Sequence, residues 1–345
     1  MSLRGRMFRN IQTHAESTID KISVIGAGVV GMAVAVSILG SRITKNLVLV
    51  DAFGDTVKGE VLDLQQAALV LQGPTISGGT DFSTTQGSKL CILTAGVRQE
   101  TGETMQSLAQ RNSDIMVKLV PDLVKYSPET IILVVGNPVD VLTYVVWKVS
   151  GLPHHRVIGS GTTLDTQRFR ILLAKKLNVN PADVKAWIIG NHGEQCMAVW
   201  SSVNIAGVRM NELNPLFGSE GDPENWNQIY KLLVSANGQI EQLKGYTNWG
   251  IAMSVAAIAK TIIGNRKVIF PVSVNANGNF GITEDVFIPL PAVLGINGVY
   301  DIINLKLTPE EITNLQKVAS SLMMTQKEIV IKGADIDCRC RRCRT

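Results

Sequence analysis

Apolar residues along this chain come in two alternating textures. Short unbroken runs, bounded by Gly, Asn, Asp or Lys, occur at Lys21–Ile25, Asn46–Val50, Leu90–Thr94 and Thr130–Val135. Between them lie longer stretches in which apolar positions recur at helical spacing: Met32–Leu39, Thr56–Val70 and Gln106–Tyr126. Runs of strand length read as strands buried on both faces, and the 3.6-residue periodicity reads as helix. Strands alternating with helices predict an α/β, doubly wound parallel sheet of Rossmann type. Right-handed crossovers then place the strand C-termini along one ligand crevice.

The second half is less regular. Helical spacing at Thr163–Leu177 leads to a strand at Lys185–Gly190, a polar stretch at Asn211–Asn225, and a helix starting near Trp226. Strand-like segments at Val268–Val274 and Val286–Pro289 precede a last amphipathic helix at Pro309–Lys327. This pattern predicts a second, α+β domain. The expected division is an N-terminal extension or arm (1–19), a Rossmann domain (20–162), a substrate domain (163–331) and a basic, disordered tail (332–345). There is no internal repeat and no low-complexity linker, so the two halves are expected to pack tightly.

Composition narrows the class. At 345 residues, 45% hydrophobic and 18% charged, the chain can bury a large core, and it contains no run long enough to span a bilayer. Net charge is +4, and four arginines against Asp335 and Asp337 place +2 of it in the last 13 residues. A body this close to neutral gives no reason to expect nucleic acid as a partner. Cys91 and Cys196 are isolated, which fits a reducing, cytoplasmic setting without a disulfide framework. Cys338, Cys340 and Cys343 in the tail lack a fourth ligand for a tetrahedral metal cage, so no metal is expected. Arg4, Arg6 and Arg9, with no acid before Glu16, carry the charge pattern of a mitochondrial presequence. The plainer reading is an extension that packs against a neighbouring subunit.

Chemistry first shows at Gly26-Ala27-Gly28-Val29-Val30-Gly31, set between a strand and a helix. Such glycines let backbone approach a pyrophosphate that rests on a helix N-terminus. Asp51 ends the second strand 20 residues after Gly31, where its carboxylate would bond ribose hydroxyls and repel a 2′-phosphate. NAD is therefore expected rather than NADP; a glycine turn without a ligand is the plain alternative. Thr94 and Gly96 end the next strand at the same crevice.

Three further segments each have a bland reading alone: Asn137-Pro138-Val139-Asp140 as a turn, Leu164-Asp165-Thr166-Gln167-Arg168 as a capped helix, Gly190-Asn191-His192-Gly193-Glu194 as a polar loop. Together with Lys244-Gly245-Tyr246-Thr247 they resemble the lactate/malate dehydrogenase family, specifically the L-lactate dehydrogenases. The resemblance runs over about residues 20 to 328, in order and at matching spacing. It implies that His192 exchanges the hydroxyl proton, that Asp165 orients the imidazole, and that Arg168 grips the substrate carboxylate. It further implies that Asn137 bonds the reacting oxygen near the cofactor, that Thr247 lines the substrate pocket, and that Arg98 reaches the pyrophosphate. Gln99 matches the position that reads the far end of the substrate, and a neutral side chain there suits pyruvate. The implied protein is a cytoplasmic homotetramer of glycolysis.

The chain departs from that pattern in the stretch Arg98 to Asn112. Met105 occupies the position where the family carries a cation that polarises the substrate carbonyl, and a thioether cannot do so. Loss of one such donor typically lowers turnover about 10²- to 10³-fold. Asn191 replaces an acid before the histidine. Ser235-Ala236-Asn237-Gly238-Gln239 reads as a helix with one extra residue, displacing the wall that leads to Thr247. The competing expectation is accordingly a non-catalytic NAD-binding paralogue, a partner or regulatory subunit.

Overall fold

The computed structural model describes residues 3–10, 20–100, 102–193 and 195–331. The basic tail with its three cysteines, and most of the N-terminal extension, lie outside the described residues. After a short helix α1 (Leu3–Met7) and strand β1 (Phe8–Asn10), the chain alternates strand and helix as its apolar texture predicts: β2 (Ile22–Ile25), α2 (Val29–Gly40), β3 (Asn46–Val50), α3 (Gly54–Gln66), β4 (Thr75–Gly79), β5 (Leu90–Leu93), α4 (Met105–Tyr126), β6 (Ile131–Val134), α5 (Val139–Ser150) and β7 (Val157–Gly159). Of these, β4, α5 and β7 are additions to the expected elements. Strands β2, β5, β6 and β7 are buried along their whole length, as expected of parallel strands covered on both faces. Helix α2 is apolar around much of its circumference because it is packed against α9 (Trp249–Ile263) as well as the sheet.

The sheet order is β1-β15-β14-β13-β7-β6-β5-β2-β3-β4, where β13 spans Val268–Asn275, β14 Phe287–Gly295 and β15 Gly298–Ile303. Strands β4 to β7 with β2 and β3 pair parallel, and the order reverses between β2 and β5. The last strands continue the same sheet antiparallel through one contact, Ser273 against Gly159. An ideal Cβ on Gly159 would come within 2.5 Å of both the Ser273 and Thr143 hydroxyls. Only a bare backbone lets β7 close on β13 there, and that closure carries Ser273 to the foot of α5.

Between the halves, α6 (Thr163–Leu177), the short strands β8 (Val184–Lys185), β9 (Ile188–Ile189), β10 (Met197–Ala198), β11 (Asn204–Ile205) and β12 (Val208–Arg209), then α7 (Met210–Leu213) and α8 (Asn227–Lys244), enclose a second core. Phe169, Trp200, Phe217 and Trp226 stack through it at centroid distances of 5.1, 5.3 and 5.1 Å. Helix α10 (Pro309–Glu328) starts with a reciprocal cap between Thr308 and Glu311.

Several sequence expectations change. The single strand at 185–190 is two, β8 and β9, in different sheets. Strand β14 runs on past Val286–Pro289 through Pro289 and Pro291, residues that usually interrupt a ladder. Helix α3 ends at Gln66, and Leu69 and Val70 lie exposed in the turn that follows. Helix α8 is unbroken across Gly238, so no residue is looped out of it. Within the described part of the extension, Phe8–Asn10 pairs with β15 of its own chain.

Candidate active site

The glycine turn after β2 is tight for reasons internal to the protein at two of its three glycines. Gly26 has φ +104°, and a Cβ there would lie 2.6 Å from the Ala95 nitrogen. A Cβ on Gly31 would run into the Gly26 carbonyl. Gly28 differs: its φ is −76°, and a Cβ would meet nothing within 4 Å. No protein contact demands a glycine at 28, and the space before it lies at the α2 N-terminus, which no side chain caps. Free N–H groups and the helix dipole there suit an anion such as a pyrophosphate.

Asp51 is held at the end of β3, its Oδ2 accepting the Ala27 N–H at 2.6 Å and its Oδ1 the Phe53 N–H at 3.0 Å. Thr94 Oγ1 donates to the Gly26 carbonyl at 2.8 Å, tying the β5 end to the glycine turn. The cradle therefore sits where the strand order reverses, and its donor set fits a dinucleotide.

The segment after Gly96 is organised by Arg111 and by Asn112, to which the sequence reading gave no role. Asn112 accepts the Val97 N–H at 2.7 Å and donates to the Asn137 carbonyl at 2.7 Å, joining the loop to the β6 end. Arg111 bonds Glu100 at 2.7 Å, Glu103 at 2.9 Å and the Arg98 carbonyl at 3.0 Å. Glu103 also receives the Glu100 N–H and the Ser107 hydroxyl, and these bonds hold its carboxyl below the usual range. Gln99 donates to the Glu103 carbonyl at 2.8 Å. Arg98 extends to the Gly245 carbonyl at 3.4 Å and lies over the Tyr246 ring, at the turn that carries half-buried Thr247. Met105 is the first residue of α4, behind the Thr104 cap, and 52% exposed. It takes no part in that network.

Deeper in, α6 presents Asp165 in its first turn and Arg168 one turn on, the spacing that puts both on one face. His192 arrives from β9 through Gly190, whose φ is +93°. Its Nδ1 lies 2.7 Å from Asp165 Oδ2. Its backbone N–H donates to Asp140 Oδ2 at 3.0 Å, and Asp140 Oδ1 accepts the Ser273 hydroxyl. Burial pulls the imidazole down, but the Asp165 charge and hydrogen bond, with Asp140 behind, outweigh it and raise its pKa. Burial pushes Asp165 up, yet His192 and Arg168 hold it below its usual value. Asp140 is pushed up to about 6 by burial.

Arg168 is pulled down by burial; its Nη1 is 3.7 Å from Asp165 and makes no hydrogen bond. An orphaned buried donor costs about 1–3 kcal/mol, more when charged, and that cost is relieved by an anionic partner. Asn137 lies exposed at the end of β6 with its carbonyl held by Asn112. Gly238 of α8 borders an open cavity of about 730 Å³ shared with Gly193, Tyr230 and Val234. Burial lifts the Cys91 and Cys196 thiols to about 12, so neither is a nucleophile near neutral pH.

Asp140 and Asn112 are the residues that sequence reasoning passed over, and the pairing of Arg111 with Glu103 is seen only in the fold. The signal for Asp140 was present: an acid inside the apolar run Val139 to Val146 has to be buried.

Comparison with known proteins places this arrangement. The NAD binding domain of the lactate/malate dehydrogenases matches residues 20–159, and their alpha/beta C-terminal domain matches residues 162–332. The L-lactate dehydrogenase B chain of Bos taurus is 49% identical over 310 residues, covering 90% of this chain and 93% of its own. The B chain of Homo sapiens is 48% identical over 310 residues, with the same coverage of 90% and 93%. The A chain of Sceloporus woodi is 47% identical over 333 residues, 95% of this chain and 99% of its own.

Proposed function

Because the chain belongs to the lactate/malate dehydrogenase family, with NAD as its cofactor, we propose that it interconverts L-lactate and pyruvate, at a turnover weakened by Met105. The observation that carries this reading is the pairing of His192 with Asp165 beside a buried guanidinium nitrogen that makes no hydrogen bond. With Nδ1 bonded to Asp165, Nε2 is the ring nitrogen left to take the hydroxyl proton of a 2-hydroxy acid. Asp165 fixes the tautomer and stabilises the resulting imidazolium, as an orienting carboxylate does in a catalytic triad. Arg168 supplies the anion site for the substrate carboxylate, in a planar geometry that Lys cannot reproduce.

Gly26, Gly28 and Gly31 with the α2 N-terminus would hold the pyrophosphate of NAD, and Asp51 the adenosine ribose; when bound, NAD accepts the hydride from the substrate carbon. Thr94, Gly96, Arg98 and Asn137 border the same crevice, and Asn137 would bond the reacting oxygen. Gln99 and Thr247 would line the substrate pocket, a neutral Gln favouring a short apolar substrate over a dicarboxylate. A cytoplasmic homotetramer working in glycolysis completes the reading.

Met105 favours a second reading, an NAD-binding subunit without turnover. Steady-state oxidation of NADH with pyruvate, oxaloacetate and longer 2-oxo acids separates the two. Turnover on pyruvate above the other acids supports the dehydrogenase reading. NAD binding without turnover on any of them overturns it.

A further inference from the structure

Two carboxylates hold His192, and only Asp165 touches its ring. Asp140 sits on α5 among Val139, Val141, Leu142 and Val145, all buried, and is itself 1% exposed. Its two oxygens are occupied by uncharged donors, the His192 N–H and the Ser273 hydroxyl. The charged groups that face it are His192, which favours its ionised form, and Asp165, which opposes it. A carboxylate in that position is costly: burial outweighs its two hydrogen bonds and pushes its pKa up.

We propose that Asp140 is a positioning residue for His192: it fixes the backbone that presents the imidazole, and its negative charge, set behind the ring, favours the proton-bearing form. The proposal deepens the dehydrogenase reading and rests on it for its purpose. Three charged groups set the proton affinity of His192. Asp165 and Asp140 raise it, and Arg168 lowers it. Asp140 remains ionised above a pH of about 6. As the pH falls through that value its support is withdrawn, and the imidazole holds its proton less tightly than it does with both carboxylates charged.

The chain has four histidines, so ring resonances in the full-length protein are few, and His192→Asn identifies the one that matters. Asp140→Asn keeps an oxygen for the His192 N–H and a group that can pair with Ser273, while removing the charge. Titrating the rings by NMR, with His192 assigned, the expected result is a fall of about one unit in the His192 pKa. Ser273→Ala leaves Asp140 in place but withdraws a bond that stabilises its charge, so a smaller fall in the same direction is expected. An unmoved His192 titration in folded Asp140→Asn overturns the proposal. If Asp140→Asn does not fold, an unmoved titration in Ser273→Ala overturns it instead. The readout needs no turnover: absence of activity in the unmodified protein would sink the dehydrogenase reading and leave the titration to decide the role of Asp140.

Discussion

Replacing Met105 with Arg is the sharpest perturbation this structure offers. Met105 is 52% exposed at the first position of α4, so a longer polar side chain displaces no core contact. The surrounding segment is braced by Arg111, Glu100, Glu103 and Gln99 without help from residue 105. A cation at a helix N-terminus opposes the dipole by about 0.3–1 kcal/mol, too little to unfold the segment. On the other side stands the charge that grows on the carbonyl oxygen as hydride arrives. One group aimed at such a charge contributes about 3–4 kcal/mol, or 10²- to 10³-fold in turnover.

Neither neighbouring cation supplies it now, since Arg111 is held by two carboxylates and Arg98 lies against Gly245 and Tyr246. Because the interaction strengthens in the transition state, Met105→Arg is expected to raise kcat on pyruvate far more than it lowers KM. Steady-state NADH oxidation measures both constants, with Met105→Leu as the uncharged control that gains nothing. A Met105→Arg protein that binds NAD normally and shows no gain in kcat would refute the reasoning.

Asp51 predicts that calorimetry finds NADP bound much more weakly than NAD, and equal affinities would remove its assigned role. The Cβ of Gly28→Ala meets no protein atom, so the thermal midpoint of the free protein should barely move; NAD affinity should nevertheless fall at least about tenfold, the equivalent of 1.4 kcal/mol of lost fit. His192→Asn should cut turnover by about 10²- to 10⁴-fold with NAD affinity nearly unchanged, and a mutant that retains its rate would send the proton elsewhere. Asp140 has a folded pKa raised to about 6, so the stability it contributes is complete below its ordinary value near 4 and is lost as pH rises to about 6. Asp140→Asn cannot ionise; it should be more stable than the parent above pH 6, by on the order of 2–3 kcal/mol, with the gap closing below about pH 4. Parallel pH–stability curves for the two proteins would contradict that account.

The parallel half of the fold was legible because its strands are buried on both faces, leaving unbroken apolar runs at Ile22–Ile25, Leu90–Leu93 and Ile131–Val134. Strand β4 was not, because an edge strand reading Thr75-Ile76-Ser77-Gly78-Gly79 has one buried residue to announce it. Helix α9 escaped for the opposite reason: apolar almost throughout between Trp249 and Ile263, it shows little polar face to mark a period. At the site, short-range pattern revealed the glycine turn and Asp51. The contact between Asp165 and His192 spans 27 residues and that between Asp140 and Ser273 spans 133, distances over which local spacing carries no information. Gly159 is the residue that makes the second contact possible, and its reason lies in two hydroxyls that only the folded sheet brings near.

The site sets costly features against one inexpensive one. A buried guanidinium nitrogen without a hydrogen bond and a buried Asp140 whose pKa is pushed up to about 6 each lower stability unless a ligand or a proton transfer makes use of them. Replacing the whole cluster together by well-packed apolar residues would be neutral or stabilising, so packing alone does not account for it. Met105 asks for no such explanation: exposed at a helix start, it neither strains the loop nor fills a gap. The machinery that moves the proton and grips the carboxylate is therefore built in at a cost to the fold, and the one missing charge sits where a single substitution can restore it. A protein so arranged should respond to Met105→Arg in turnover and to Asp140→Asn in proton affinity, independently. If instead both substitutions altered NAD affinity alone, the cluster would serve cofactor binding, and the dehydrogenase reading would lose its physical basis.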